Sequence, residues 1–509
     1  MIAAFVLYFI AIAAITVYAS RSITSTSEFL LGGRRFGALS TAISAAASAR
    51  SSASMVGQAG LAFMLGFQAL WIVFAYTILE YLAMLYIMGP KLRRFSARRN
   101  AITIPEYLEA RFPNSGHLLR VTCALAFVVF MIAYIVAQYV GMSFTITQVL
   151  DLPLGPSIVL AAAFTGAYTI VGGFKAVVYT DVMQGIMMVL AMLVVPTLAW
   201  QNAGGLDQVV DSLHRIGGDG LSGIVGSSGW PFAIGMLFAG LGAFGNPHIV
   251  IRYMSVRSTR DLRLAAFVNL LFNIVISWGG IMLGLAGRVI YEDVARLPLQ
   301  NQEMVFFEIS RTMIGNEFVL GLMWAGVFAA MMSSADSMMM VVTSSISRDI
   351  YEKTIKAGQT VRESTLVWLN RSIVLGVVVV SLVLTFYLAK SALLIALFAW
   401  GGLGGSLGPV VVLSLWWTRM TKWGALAGMA AGMAMAVTWR FTPALTQVLT
   451  YEALPAFLTA LLTAYVVSLM TTPAPDPTLE EDLRFPRRDE FDEQVAASAS
   501  GQAVPPSSR

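Results

Sequence analysis

The sequence predicts an all-α polytopic membrane protein of about 13 transmembrane helices. Composition is the first reason: 57% of the 509 residues are hydrophobic and 12% are charged, against about 25% charged in soluble domains. Apolar runs of spanning length recur through most of the chain, which is the second. The third is an uneven spread of Lys and Arg between alternate loops. A soluble chain this apolar would expose large patches and aggregate.

The apolar runs fall near 2–20, 38–66, 68–90, 118–147, 156–173, 178–200, 231–250, 264–288, 317–345, 366–389, 392–417, 423–439 and 454–471. Backbone groups find no water in lipid, so these runs are expected as helices. Nothing basic precedes the run 2–20, and further apolar segments follow it directly. It reads as a retained helix rather than a cleaved leader.

One set of loops holds 20 basic residues, among them Arg94, Arg98, Arg99, Arg111, Arg348 and Lys353. The other set holds 6: Arg215, Arg288, Arg296, Arg311, Lys390 and Arg440. The richer set is expected in the cytoplasm. That places the N-terminus outside and the C-terminus inside the cell (inner) membrane, and it explains the net charge of +5 without a nucleic-acid partner. From about 472 the chain turns rich in Pro, Ser and charge. Residues 472–509 read as a disordered cytoplasmic tail after a transmembrane domain of 1–471. A single cysteine, Cys123, excludes a disulfide framework. His117, His214 and His248 are scattered, and nothing points to an enzyme.

Two spans read as interrupted. Residues 40–54 are nearly all small, and 231–250 contains Gly235, Gly240, Gly242 and Gly245 before Asn246-Pro247. Matched interruptions mark the binding site in inverted-repeat transporters. Close helix packing also uses such residues.

Several stretches, in order, resemble the sodium:solute symporter family and most closely its proline/sodium subgroup. They are EFLLGGRRFGALSTAISAAAS (28–48), TIPEYLEARF (103–112), TIVGGFKAVVYTDVMQ (169–184), FGNPHIVIRYMS (244–255), AAMMSSADSMMMVVTSSISRDIY (329–351) and AWGGLGGSLGPVVVLSLWW (399–417). The resemblance implies a LeuT-type fold. Two inverted five-helix repeats would occupy about 38–200 and 231–417, with helix 1 before them and helices 12–13 after. It also implies secondary active transport by alternating access. The solute would be an amino or imino acid such as proline, or an organic carboxylate, with Na+ co-transported.

Carried over residue by residue, the family's shared sodium site falls on the carbonyls of Ala47, Arg50 and Ala330 and the hydroxyls of Ser333 and Ser334. A second cation set found in some members falls on Asp181, Ser333, Asp336 and Ser337. Positions 330, 333, 334 and 337 share one helical face. Serines within spans also bond back to their own helix. For the solute, the resemblance points to Tyr134, Ala239, Ala243 and Phe244. The Trp and Tyr that line the site in proline carriers fall on Ala239 and Ala243, which implies an enlarged or reshaped cavity.

Two intramembrane charges depart from the family pattern. Proline symporters carry an aspartate at the position of Ala49, and Arg50 follows it here. A guanidinium stays charged and is costly in a membrane unless it finds an anion. Glu80 on the neighbouring span is the nearest, so an Arg50–Glu80 pair is expected. The other two readings are that Arg50 binds a substrate carboxylate, or that it stands in the sodium position as a fixed cation of a sodium-independent carrier or exchanger. A substrate-sensing membrane module is the alternative class of function. No soluble signalling domain follows the spans, which favours a carrier, and the charged pore rings of a channel are missing.

Overall fold

The computed structural model describes residues 1–21, 38–99, 101, 103–113, 115–255, 259–359, 361–388 and 391–485. The motif residues 28–37 and the expected tail beyond 485 lie outside the described residues. The described chain is helical, with no strand among its elements.

The first span, α1 (Ile2–Ser20), buries Phe5, Tyr8 and Ile12. The second is broken. α2 (Ala38–Ser48) stops, Ala49–Ser51 leave the helix, and a π turn at Ala53–Gly57 leads into α3 (Gln58–Leu65). There is no proline here. A run of Ala and Ser supplies little bulk and many hydroxyls, so neighbouring helices approach closely enough to satisfy the unwound backbone.

α4 (Leu70–Leu82) carries Glu80 and is followed by α5 (Gly89–Arg98) and α6 (Ile104–Arg111). Thr103 caps α6, its hydroxyl accepting from the Glu106 N–H. α7 (Leu118–Leu150) and α8 (Leu154–Asn202) come next. The expected runs 156–173 and 178–200 both lie in α8, divided at Gly173, where φ of 54° and ψ of −162° suit glycine. α9 (Gly205–Gly217) buries Val209 and Leu213, one turn apart, and leaves its other side polar.

The other interruption follows α10 (Gly229–Leu237). A 3₁₀ turn at Phe238–Phe244 and then Gly245 and Asn246 precede α11 (Pro247–Ser255). α12 (Thr259–Asn273) and α13 (Gly279–Tyr291) are joined by a π turn, and α14 (Val305–Met313) follows. The remaining helices are α15 (Glu317–Ser344), α16 (Glu363–Leu388), α17 (Ala392–Trp416), α18 (Lys422–Phe441) and α19 (Ala453–Met470). Nine helices among the described residues are long and apolar enough to cross a membrane. The most apolar stretches of α15 and α17 are 83% buried, against 28% for α16 and α19. α15 and α17 are therefore the most enclosed of these helices, while α16 turns Leu375, Val379 and Val383 outward.

One expectation needs correction. The composition of 472–485 reads as a disordered tail, but these residues fold against α5. Arg98 Nε lies 2.5 Å and Arg99 Nε 2.7 Å from Asp482, Arg98 also reaches Glu481 at 3.0 Å, and Arg99 reaches Asp476 at 2.8 Å. Leu479 and Leu483 are buried beneath these pairs. Local composition resembled a tail because the basic partners lie far away in sequence.

Candidate cation and solute site

The site begins at the break between α2 and α3. Its unwound backbone is met by side chains from α7 and α15. Ser334 Oγ lies 2.6 Å from the Arg50 carbonyl oxygen and 3.1 Å from that of Ser48. The Ser52 N–H donates to Gln138 Oε1 at 2.8 Å, and the Tyr134 hydroxyl donates to Ser51 Oγ at 3.2 Å. The Ala47 carbonyl accepts the Arg50 N–H at 3.0 Å, closing the last turn. Ala330 is buried one turn before the two serines.

Beside the break sits a carboxylate among hydroxyls. Asp181, from α8, accepts from Ser44 at 2.5 Å, from Ser48 at 3.0 Å and from Ser333. Ser337 donates to Ser48 Oγ at 2.9 Å. Asp181, Ser333 and Ser334 are fully buried. A hydroxyl that donates to a carboxylate can rotate and offer its lone pairs instead. This oxygen set suits a hard cation. Asp336, expected in the same set, is bonded by the Tyr168 hydroxyl. Three residues past Ser333, it lies beside Ser333 on α15 and nearly opposite Ser334.

The structure brings Arg50 and Glu80 together. Arg50 Nη2 lies 3.0 Å from Glu80 Oε2, and each side chain is 3% exposed. Arg50 Nη1 donates to Asn273 Oδ1 at 2.5 Å, and Asn269 Nδ2 donates to Glu80 Oε1 at 2.9 Å. The guanidinium is thus held on α4 and α12, while Ser334 meets the carbonyl of the same residue. Asn269, Asn273, Ser44, Ser48 and Gln138 were not singled out from the sequence. The available signal was that they are polar residues inside apolar spans.

Around this centre lies an aromatic group. The Tyr134 ring packs at 6.3 Å from Trp400 and 6.2 Å from His248, and Tyr76 lies 5.6 Å from Trp400. Trp400 Nε1 donates to the Ala239 carbonyl at 2.8 Å. Ala243 is buried, and Phe244 packs edge-on against Phe457 of α19. Tyr134 and Ala239 therefore belong to the group beside the break, whereas Phe244 faces α19. Trp400, which the sequence does not single out, brings an indole against Ala239.

An all-helical membrane protein whose broken helix meets serine hydroxyls and a buried carboxylate has the centre of an ion-dependent carrier. Residues 29–432 match the sodium:solute symporter family, and the chain belongs to it. It is 33% identical over 414 residues to the high-affinity proline transporter of Bacillus subtilis, covering 81% of this chain and 86% of that one. The osmoregulated proline transporter of the same organism is 33% identical over 426 residues, covering 83% and 85%. The sodium/proline symporter of Escherichia coli is 30% identical over 434 residues, covering 84% and 85%. Among solved structures, a Na+-coupled sialic acid symporter superposes with a TM-score of 0.75 at 19% identity, covering 93% of this chain and 98% of that one. A nucleobase-cation-symport-1 family transporter matches at 0.54 and 14% identity, covering 91% and 99%. These two likenesses establish the fold. The protein is a multi-pass membrane transporter.

Proposed function

We propose that this protein carries a small organic solute into the cell with sodium, by alternating access, and that proline is the first solute to test. One observation carries the sodium reading: Ser334 Oγ sits on the unwound Arg50 carbonyl at 2.6 Å, beside the Asp181–Ser333 pair. Hydroxyls, opened carbonyls and a carboxylate are the donors a hard cation needs. The guanidinium, held on Glu80 and Asn273, leaves those oxygens to an ion. Ala47, Arg50 and Ala330 (carbonyls) with Ser333 and Ser334 (hydroxyls) form the proposed site, and Asp181 supplies its charge. Proline comes from the names of the relatives, and Tyr134 with Trp400 supplies rings for an apolar body of that size.

The N-terminus is assigned outside and the C-terminus inside. Met1 lies 3.5 Å from Glu317 at one end of α15. Past the other end, Arg348 pairs with Glu106 at 3.0 Å. Lys353 lies 3.4 Å from the same Glu106, and both it and Arg348 belong to the richer basic set, which supports a cytoplasmic assignment of that side.

The test is labelled proline uptake into proteoliposomes under an inward sodium gradient. Accumulation above the outside concentration, abolished when the gradient is collapsed, supports the reading. Equal exchange with and without sodium contradicts it.

A further inference from the structure

We propose that Arg50 is the positioning residue of the cation site: its guanidinium, clamped by Glu80 and Asn273, holds in place the carbonyl that Ser334 meets. The inference rests on the reading of the α2–α3 break as a sodium site.

A carbonyl in an unwound stretch has no helix ladder to aim it. Within Ala49–Ser51, Arg50 alone has a side chain long enough to reach across to other helices. Its guanidinium contacts two of them: Glu80 on α4 at 3.0 Å, and Asn273 and Asn269 on α12 at 2.5 and 3.3 Å. The clamp is itself oriented. Asn273 Nδ2 donates to Thr77 at 3.0 Å, and Ser277 donates to Asn273 Oδ1 at 2.7 Å. Amide orientation is therefore fixed from both ends. Helices α4 and α12 grip the side chain of Arg50, and α15 grips its main chain.

Charge gives the arrangement a second role. A guanidinium at the same residue as a cation ligand repels the cation, strongly so away from water. Glu80 cancels that repulsion. A plain structural staple would predict something else, because a buried ion pair replaced on both sides by apolar groups of similar size is often neutral or stabilising. If the pair only held helices together, that exchange would leave sodium binding intact.

Sodium binding can be read without any solute. The purified protein in detergent is titrated with sodium, choline replacing it at constant ionic strength, and the rise in Tm is followed. Glu80→Gln is expected to raise the half-saturating sodium concentration about tenfold or more, because it leaves the guanidinium uncompensated. The paired Arg50→Met, Glu80→Leu variant should fall between Glu80→Gln and wild type, losing the hold but not adding repulsion. Glu80→Asp should restore most of the affinity. Adding Glu80→Gln to Ser334→Ala should cost less than the two single effects combined, since both act on one carbonyl. Wild-type half-saturation in both Glu80→Gln and the paired variant, with Ser334→Ala shifted, overturns the inference and leaves the site standing. If Ser334→Ala also binds like wild type, the cation-site reading falls with it. Should Glu80→Gln fail to fold, the paired variant decides the point.

Discussion

At Ala49–Ser51 the loosened backbone is met by side chains: Ser334 on two carbonyls, Gln138 on an N–H, and Tyr134 on Ser51. At Gly245–Asn246 it is met by main chain and by close packing. The Gly245 and Asn246 N–H groups both donate to the Gly242 carbonyl at 3.2 Å, and a Cβ on Gly245 would collide with the Leu403 carbonyl of α17. One break is polar and partly charged, the other steric. The first offers ligands that can turn toward an ion. The second lets α17 approach so closely that Trp400 reaches the Ala239 carbonyl. Chemistry and mechanical contact are thus divided between two interruptions that look alike as runs of small residues.

The largest expected effect breaks the polar side. Asp181→Asn removes the only charge among the Ser44, Ser48 and Ser333 hydroxyls that bond it. Sodium-driven uptake should drop about a hundredfold, the weight of hydrogen bonds to a buried charged group. Reconstituted uptake at fixed protein amount checks this. Gly245→Ala attacks the steric side. It should lower stability by about 2 kcal/mol, as overpacking does, while the protein that folds keeps its sodium half-saturation. Melting with and without sodium separates the two quantities. A Gly245→Ala variant of normal stability but weakened sodium response would erase the distinction between the breaks.

Ser334→Ala should weaken sodium binding about tenfold, the range of one hydrogen-bonding group lost, with little change in melting without sodium. The smallest effect is expected outside both breaks, where residues 472–485 lie on α5. Burial pushes the Asp476 carboxyl up, but hydrogen bonds from Thr478 and the Arg99 guanidinium outweigh it and hold it below the usual carboxylate range. A lowered pKa gives stability that is present above the unfolded value and lost as pH falls through the folded one. The segment should therefore stay docked at neutral pH and loosen only in strong acid or high salt. Limited proteolysis across 472–485 should show Asp476→Asn more easily cut at neutral pH, with at most about 1 kcal/mol lost overall.

Much of this was legible because lipid is a strict solvent. Apolar runs had to be helices, and a guanidinium at Arg50 had to find an anion, which made Glu80 recognisable. Ser333 and Ser334 enter the proposed cation site through family resemblance, since serines on a helix face alone carry no ligand signal, whereas Asp181 also stands out as a carboxylate inside a span. Asn269 and Asn273 were not, because two amides one turn apart on a span look like ordinary packing polarity until a partner is seen. Asp336 stands one turn past Ser333 on α15, and its bond to Tyr168 on another helix could not be read from that spacing. The docking of Asp476, Glu481 and Asp482 on Arg98 and Arg99 joins segments far apart in the chain. Neither composition nor periodicity encodes such a pairing.

The most direct measurement is equilibrium binding of radioactive sodium to the purified protein, comparing wild type with Ser334→Ala and Asp181→Asn. The account predicts saturable binding in wild type, weaker binding in Ser334→Ala and loss in Asp181→Asn. Saturable binding of equal strength in all three would place the ion elsewhere and contradict it.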